Sequence, residues 1–123
     1  MLKIAFPTDD GVTISRHFGQ AKYYRIISVN DGEVIAEEQV EKSSHTHAAG
    51  EDHHALGHDH GAMFEPLKDC QVLIAGGMGQ PAYEHASAQG LNVLLASQTE
   101  IRPALQAFLD GKLISDPRRI HQH

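Results

Sequence analysis

The chain predicts a single α/β domain built on a mixed sheet, and three observations carry that prediction. The first third is β-rich and holds a tight-turn signal, Asn30-Asp31-Gly32, between two runs of β-formers. The second half alternates strand-like and helix-spaced runs in the order β-α-β-α, and its right-handed crossover sets two parallel strands beside three antiparallel ones. Between the halves lies a polar, His-rich interruption. With 123 residues, 41% hydrophobic and 21% charged, the chain has the size and balance of one soluble globular domain.

Leu2, Ile4 and Phe6 alternate with Lys3 and Ala5, and Pro7 with Asp9-Asp10-Gly11 ends this first strand. Runs over 23–29 and 34–40 flank the Asn-Asp-Gly turn, whose residues tolerate positive φ, so strands two and three pair antiparallel. Met63, Phe64 and Leu67 fit one or two helical turns, shortened by Pro66. Val72-Leu73-Ile74-Ala75 is a continuous apolar run, as a strand covered on both faces requires, and it ends in Gly76-Gly77-Met78-Gly79. Pro81 suits the first turn of a helix that Gly90 stops, and a strand over 91–95 follows. Thr99 starts a last helix in which Ile101, Ala104, Leu105, Phe108 and Leu109 share one face, with Gly111 as its end. The domain is expected to span residues 1–113, with a His-rich loop inserted at 43–61. Residues 114–123, with Arg118, Arg119, His121 and His123, are expected to form a loose or oligomer-dependent tail.

A formal charge of −6, with only ten Lys and Arg, supplies no basic field for a phosphate backbone, which argues against nucleic acid. No apolar run approaches the ~18 residues of a membrane helix, and the start MLKIAFPTDD lacks the basic and long apolar regions of a signal peptide, so a cytoplasmic location is expected. The single Cys70 excludes an internal disulfide and a CxxC site, and its place before an apolar run suits a structural residue. Asp9 and Asp10 end strand one, but a nuclease would need more carboxylates around Mg²⁺ and a basic track. No Gly-x-Ser-x-Gly elbow or HExxH helix is present, so a non-enzymatic protein is expected.

Metal handling is the first functional reading. His45, His47, His53, His54, His58 and His60 crowd into sixteen residues punctuated by Gly50 and Gly57. Neutral imidazole is a good ligand for Zn, Ni, Cu and Fe, and its affinity falls as protons compete below pH ~6.5. The alternative is a solvated low-complexity loop with adventitious affinity. The Gly76-Gly77-Met78-Gly79 turn before a helix can offer backbone N–H groups to an anionic ligand, or it is simply a tight strand-to-helix turn; neither GxGxxG nor GxxxxGK[ST] is present. In Ser15-Arg16-His17-Phe18-Gly19-Gln20-Ala21, His17 between Arg16 and Phe18 is either a ligand or a structural residue, and proximity to the glycine turn would favour the ligand.

The order PTDDG, HFGQAKYYRIISV, NDG and CQVLIAGGMGQPAYEHASAQGLNVL, closed by a short helix ending in DGK, resembles the dinitrogenase iron-molybdenum cofactor biosynthesis domain family, which includes NifX, the C-terminal region of NifB and the NafY core. The resemblance covers nearly the whole chain except the His-rich insert and the tail. It implies a ribonuclease H-like α/β fold with a five-stranded mixed sheet and flanking helices. It further implies a non-catalytic domain that binds or carries iron–sulfur or molybdenum–iron–sulfur clusters, with cluster donor and acceptor proteins as partners. The family's cluster-linked HFG carries over to His17, Phe18 and Gly19, with His17 as metal ligand, and its glycine loop to Gly76, Gly77, Met78 and Gly79. Nitrogenase-associated members often read HFGSC; Gln20 and Ala21 stand here, so this loop supplies no thiolate. The competing reading is a Ni, Zn or Co buffer or chaperone acting through the His-rich loop. A homo-oligomer is compatible with either.

Overall fold

In the computed structural model, which describes residues 1–41 and 64–121, a five-stranded sheet carries one helix on each face. The strands are β1 Leu2–Thr8, β2 Tyr23–Asn30, β3 Glu33–Glu41, β4 Val72–Ala75 and β6 Asn92–Leu95, in the order β3-β2-β1-β4-β6. A two-residue strand, β5 Met78–Gly79, pairs outside this sheet with β7 Ile120–His121. The helices are α1 Gln80–Ala88 and α2 Ile101–Leu109.

β1 lies antiparallel to β2 and parallel to β4, and β4 lies parallel to β6, so the sheet is mixed as expected. Asp31 and Gly32 take φ of 55° and 79°, the left-handed pair that lets a two-residue turn follow the twist of β2 and β3. Because successive side chains point to opposite faces, Ala5, Tyr24, Ile26, Leu73 and Ala75 form one core with Ala86 of α1. Ile4, Phe6, Ile27, Val29, Val72 and Ile74 form the other with Ile101, Ala104 and Leu105 of α2. All four residues of β4 are buried, which accounts for its unbroken apolar sequence. The edge strand β3 carries Glu33, Glu37, Glu38 and Glu41, a charge density that discourages further strand pairing.

The short element before β4 is as expected, and the C-terminal segment is not. The Phe64–Leu67 region is a short 3-10 turn over Glu65–Leu67 that buries Phe64 and Leu67, since Pro66 prevents a longer helix. Residues 115–121 do not form a loose tail: Ser115 Oγ accepts the Leu95 N–H at 3.0 Å, the Asp116 N–H donates to the Leu95 carbonyl at 2.9 Å, and β7 then pairs with β5. The exposed edge of β6 and the two-residue β5 thus find partners in the C-terminal segment. The expected His-rich insert lies outside the described residues, and among those described no helix is long and apolar enough to cross a membrane.

The carboxylates after β1 hold loops. Asp9 Oδ1 accepts the Lys22 N–H at 2.9 Å. Asp10 Oδ1 accepts the N–H groups of Thr13 at 2.8 Å and Val12 at 2.9 Å, together with the Thr13 hydroxyl. Those backbone donors, led by Thr13, hold the Asp10 carboxyl at about 2. A folded-state value below the unfolded ~3.9 contributes stability above pH ~4 that is lost as pH falls towards 2. Asp10→Asn should therefore lower the thermal midpoint at pH 7, and its deficit against wild type should shrink as both are melted at successively lower pH from 4 to 2.

Candidate functional site

The loop after β1 is built around Phe18. Its ring is 1% exposed and stacks on Phe64, centroids 5.3 Å apart, while tilting against Tyr24 at 5.9 Å. Burying such a side chain is worth about 1.5–3 kcal/mol, against about 1 kcal/mol for an ordinary hydrogen bond, so the ring is the loop's principal anchor. With Phe18 turned inward, its neighbours Arg16 and His17 lie exposed at the surface.

Hydrogen bonds then join this loop to the glycine turn. The Gly76 N–H donates to the Ser15 carbonyl at 3.0 Å and the Phe18 N–H donates to the Gly77 carbonyl at 3.0 Å. The approach is close: a Cβ on Gly76 would stand 2.8 Å from Ser15 O and 3.2 Å from Arg16 Cα. Both contacts are backbone, which cannot swing aside, so glycine is required here for space.

A cleft of about 310 Å³ opens at this junction, lined by Arg16, His17, Gly76, Arg118 and Arg119. It lies just beyond the carboxyl end of β4. The chain leaves β1 towards β2 and leaves β4 towards β6, on opposite sides, and in α/β sheets such a divergence opens a binding crevice. Arg119 Nη1 donates to the Gly76 carbonyl at 3.3 Å, fixing the C-terminal segment across the turn. Arg118 grips Asp116 through Nε to Oδ1 at 3.0 Å and Nη2 to Oδ2 at 3.3 Å, and these bonds hold the Asp116 carboxyl below its usual range. Three guanidinium groups and an imidazole thus line the cleft, and Asp116 pairs with two of the three, Arg118 and Arg119.

The residues expected from sequence fall into separate places. His17 and Gly76 meet in the cleft. Phe18 and Met78, each 1% exposed, are core residues that position the two loops and offer no side chain to the cleft. Gly77 is buried, Gly19 is exposed with nothing within 4 Å of a Cβ, and Gly79 caps α1. The Gly76 N–H is already bonded to Ser15, so the positive groups around the cleft are side chains more than turn amides. His45, His47, His53, His54, His58 and His60 lie outside the described residues. Among the described residues no three His, Cys, Asp or Glu side chains converge as a metal site. Cys70 is half-buried, and burial pushes its thiol up to about 11, in keeping with the structural role expected of it. In the sequence Arg16 shows only as the neighbour of His17, and Arg118 and Arg119 only as a basic pair in the tail; a guanidinium beside a candidate His ligand is the one signal there that points to Arg16.

Fold and cleft together define a small α/β domain with a basic, histidine-bearing crevice beyond its parallel strands. The chain belongs to the dinitrogenase iron-molybdenum cofactor family, whose model matches residues 1–111. It is 28% identical over 113 residues to the uncharacterized protein MJ0580 of Methanocaldococcus jannaschii, covering 92% of this chain and 90% of that one. Among solved structures it superposes on PH0822 with a TM-score of 0.73 at 23% identity, covering 94% of this chain and 96% of that chain. The apo orange protein of Desulfovibrio gigas gives a TM-score of 0.71 at 23% identity over 94% and 93% of the two chains.

Because the junction has no room for a Cβ, Gly76→Ala should destabilise the protein by about 1–3 kcal/mol, as overpacked sites do. Gly19→Ala, in open space, should stay within about 0.5 kcal/mol of wild type. Urea denaturation of both variants checks this, and equal effects would contradict the geometry.

Proposed function

We propose that this protein is a non-catalytic carrier of an iron–sulfur or molybdenum–iron–sulfur cluster, held at the crevice beside the HFG loop. The observation that carries the reading is His17, set by the inward Phe18 at the edge of a cleft whose other side chains are arginines. Family membership associates the chain with the iron-molybdenum cofactor and agrees with this cargo. The donor set fits a cluster that arrives with its own sulfides. One imidazole can ligate an exposed metal, guanidinium groups complement the negative charge of a metal–sulfur core, and no thiolate lines the cleft. Gly77, Met78 and Gly79 contribute by shaping the turn, and Gly19 by leaving its outer side open. Cytoplasmic donor and acceptor proteins are the partners of such a carrier. The ribonuclease H-like description belongs to the same reading, supported by an antiparallel three-stranded unit continued by parallel strands.

A second reading is favoured by one contact. The chain enters the His-rich segment after Glu41 and returns at Phe64, whose ring stacks on Phe18, the neighbour of His17. A Ni, Zn or Co buffer working through His45, His47, His53, His54, His58 and His60 would then be attached beside the crevice and could act with it or alone.

Anaerobic incubation with a preformed iron–sulfur or iron-molybdenum cluster, followed by gel filtration and metal analysis, separates the two. Stoichiometric cluster retention should be lost on His17→Ala and survive replacement of the six segment histidines by Ser. Retention by neither protein, with Ni or Zn bound only when those histidines are present, would replace the carrier reading with the buffer.

A further inference from the structure

We infer that Arg16 and Arg119, with Arg118 at the rim, form a subsite for a compact multivalent anion, and that the C-terminal segment carries half of a recognition element lying outside the family domain. The cargo's identity rests on the carrier reading above; the subsite rests on where the charges lie.

The chain contains five arginines in a protein of formal charge −6. Arg25 and Arg102 both pair with Glu37, at 2.9 and 2.6 Å, on the side of the sheet where α2 begins. The other three line a single cleft. Arg16 is exposed and has no ion pair among the described residues. Arg119 reaches Gly76 O with Nη1, while its Nε is closed off from solvent and has no acceptor within hydrogen-bond distance; the nearest carboxylate oxygen, Asp116 Oδ2, is 3.7 Å away. Asp116 is already held twice by Arg118. One carboxylate, Asp116, pairs with Arg118 and Arg119, and Arg16 on the same cleft adds a third guanidinium, so the cleft carries an excess of positive charge that an anion would balance.

The planar guanidinium fork suits oxygen or sulfur acceptors around a central atom, so the ligand class is a doubly charged tetrahedral oxo- or thio-anion, or the anionic face of a cluster. These share one chemistry. The family match ends at residue 111, whereas Arg118 and Arg119 lie beyond it and are delivered to the cleft by the β5–β7 pairing and the Ser115 and Asp116 bonds to Leu95. The segment therefore adds recognition to a domain that supplies Arg16, His17 and the glycine turn.

Titration calorimetry of the full chain at low ionic strength, with sodium molybdate and separately with sodium phosphate, tests the subsite without any cluster. Wild type should bind one molybdate per chain. Arg16→Gln with Arg119→Gln should weaken binding by about tenfold or more, as expected for lost charge-assisted bonds, while Arg25→Gln leaves it within about twofold. Arg119→Gln also removes the bond to Gly76, so Arg16→Gln alone, at an exposed position, should still lose part of the affinity, and Arg119→Lys should restore part of it. Equal affinity for phosphate marks a site that reads charge, a preference for molybdate one that also reads the central atom; both support the subsite. No saturable binding of either anion, or equal binding by wild type and the double variant, overturns it. Cluster retention with no molybdate binding would sink the subsite and leave the carrier reading standing; molybdate binding through the arginines with no cluster retention would do the reverse.

Discussion

The closeness of two backbones at Gly76 is the constraint on which the rest of the site depends. Ser15 and Arg16 press against a position that has no room for a side chain, and the two hydrogen bonds that follow, Gly76 to Ser15 and Phe18 to Gly77, make one unit of two loops far apart in sequence. Phe18 supplies most of the energy by filling the space between Phe64 and Tyr24, while the hydrogen bonds supply direction. Once that junction is made, Arg16 and His17 have nowhere to lie but outward. The Gly76 carbonyl then receives Arg119, which draws the C-terminal segment over the same spot.

Charge is distributed with the same economy of position. Part of the acidic surface sits where it blocks association or organises loops: the four Glu of β3 on the sheet edge, and Asp9 and Asp10 against backbone N–H groups after β1. Glu37 neutralises the arginines near the start of α2. The other three arginines are gathered beyond the carboxyl end of β4, so a chain of negative net charge presents a local positive cluster where the fold leaves a crevice. An anionic cargo would be repelled by much of the surface and attracted at this one place, which favours selectivity more than raw affinity.

Much of this architecture was legible from residues alone, and the reasons are local. Asn30-Asp31-Gly32 needs positive φ and gets it; Gly90 and Gly111, at φ of 102° and 73°, end α1 and α2 as their chemistry implies. The unbroken apolar run of β4 and the i, i+3, i+4 spacing of α2 report burial on two faces and on one face. The C-terminal segment was not legible. A two-residue strand has no period, and β5 pairs with β7 through a parallel contact whose partners are separated by α1, β6 and α2. Arg118 and Arg119 were visible as a basic pair, but nothing near them in sequence says that they return to Gly76. Motif reading also merged two roles in HFG and GGMG, because spacing does not reveal which side chains turn inward: Phe18 and Met78 build the core, and His17 faces the cleft.

Backbone and side-chain hydrogen bonds join the HFG loop, the glycine turn and the C-terminal segment into one unit rather than three surface loops. Amide hydrogen exchange followed residue by residue tests it most directly. The N–H groups of Phe18, Gly76 and Asp116 should exchange nearly as slowly as that of Leu73 in β4, and far more slowly than that of the exposed Gly19. Exchange of Phe18 and Gly76 at the rate of Gly19 would mean that the two loops are not joined in solution, and the crevice would lose its physical basis.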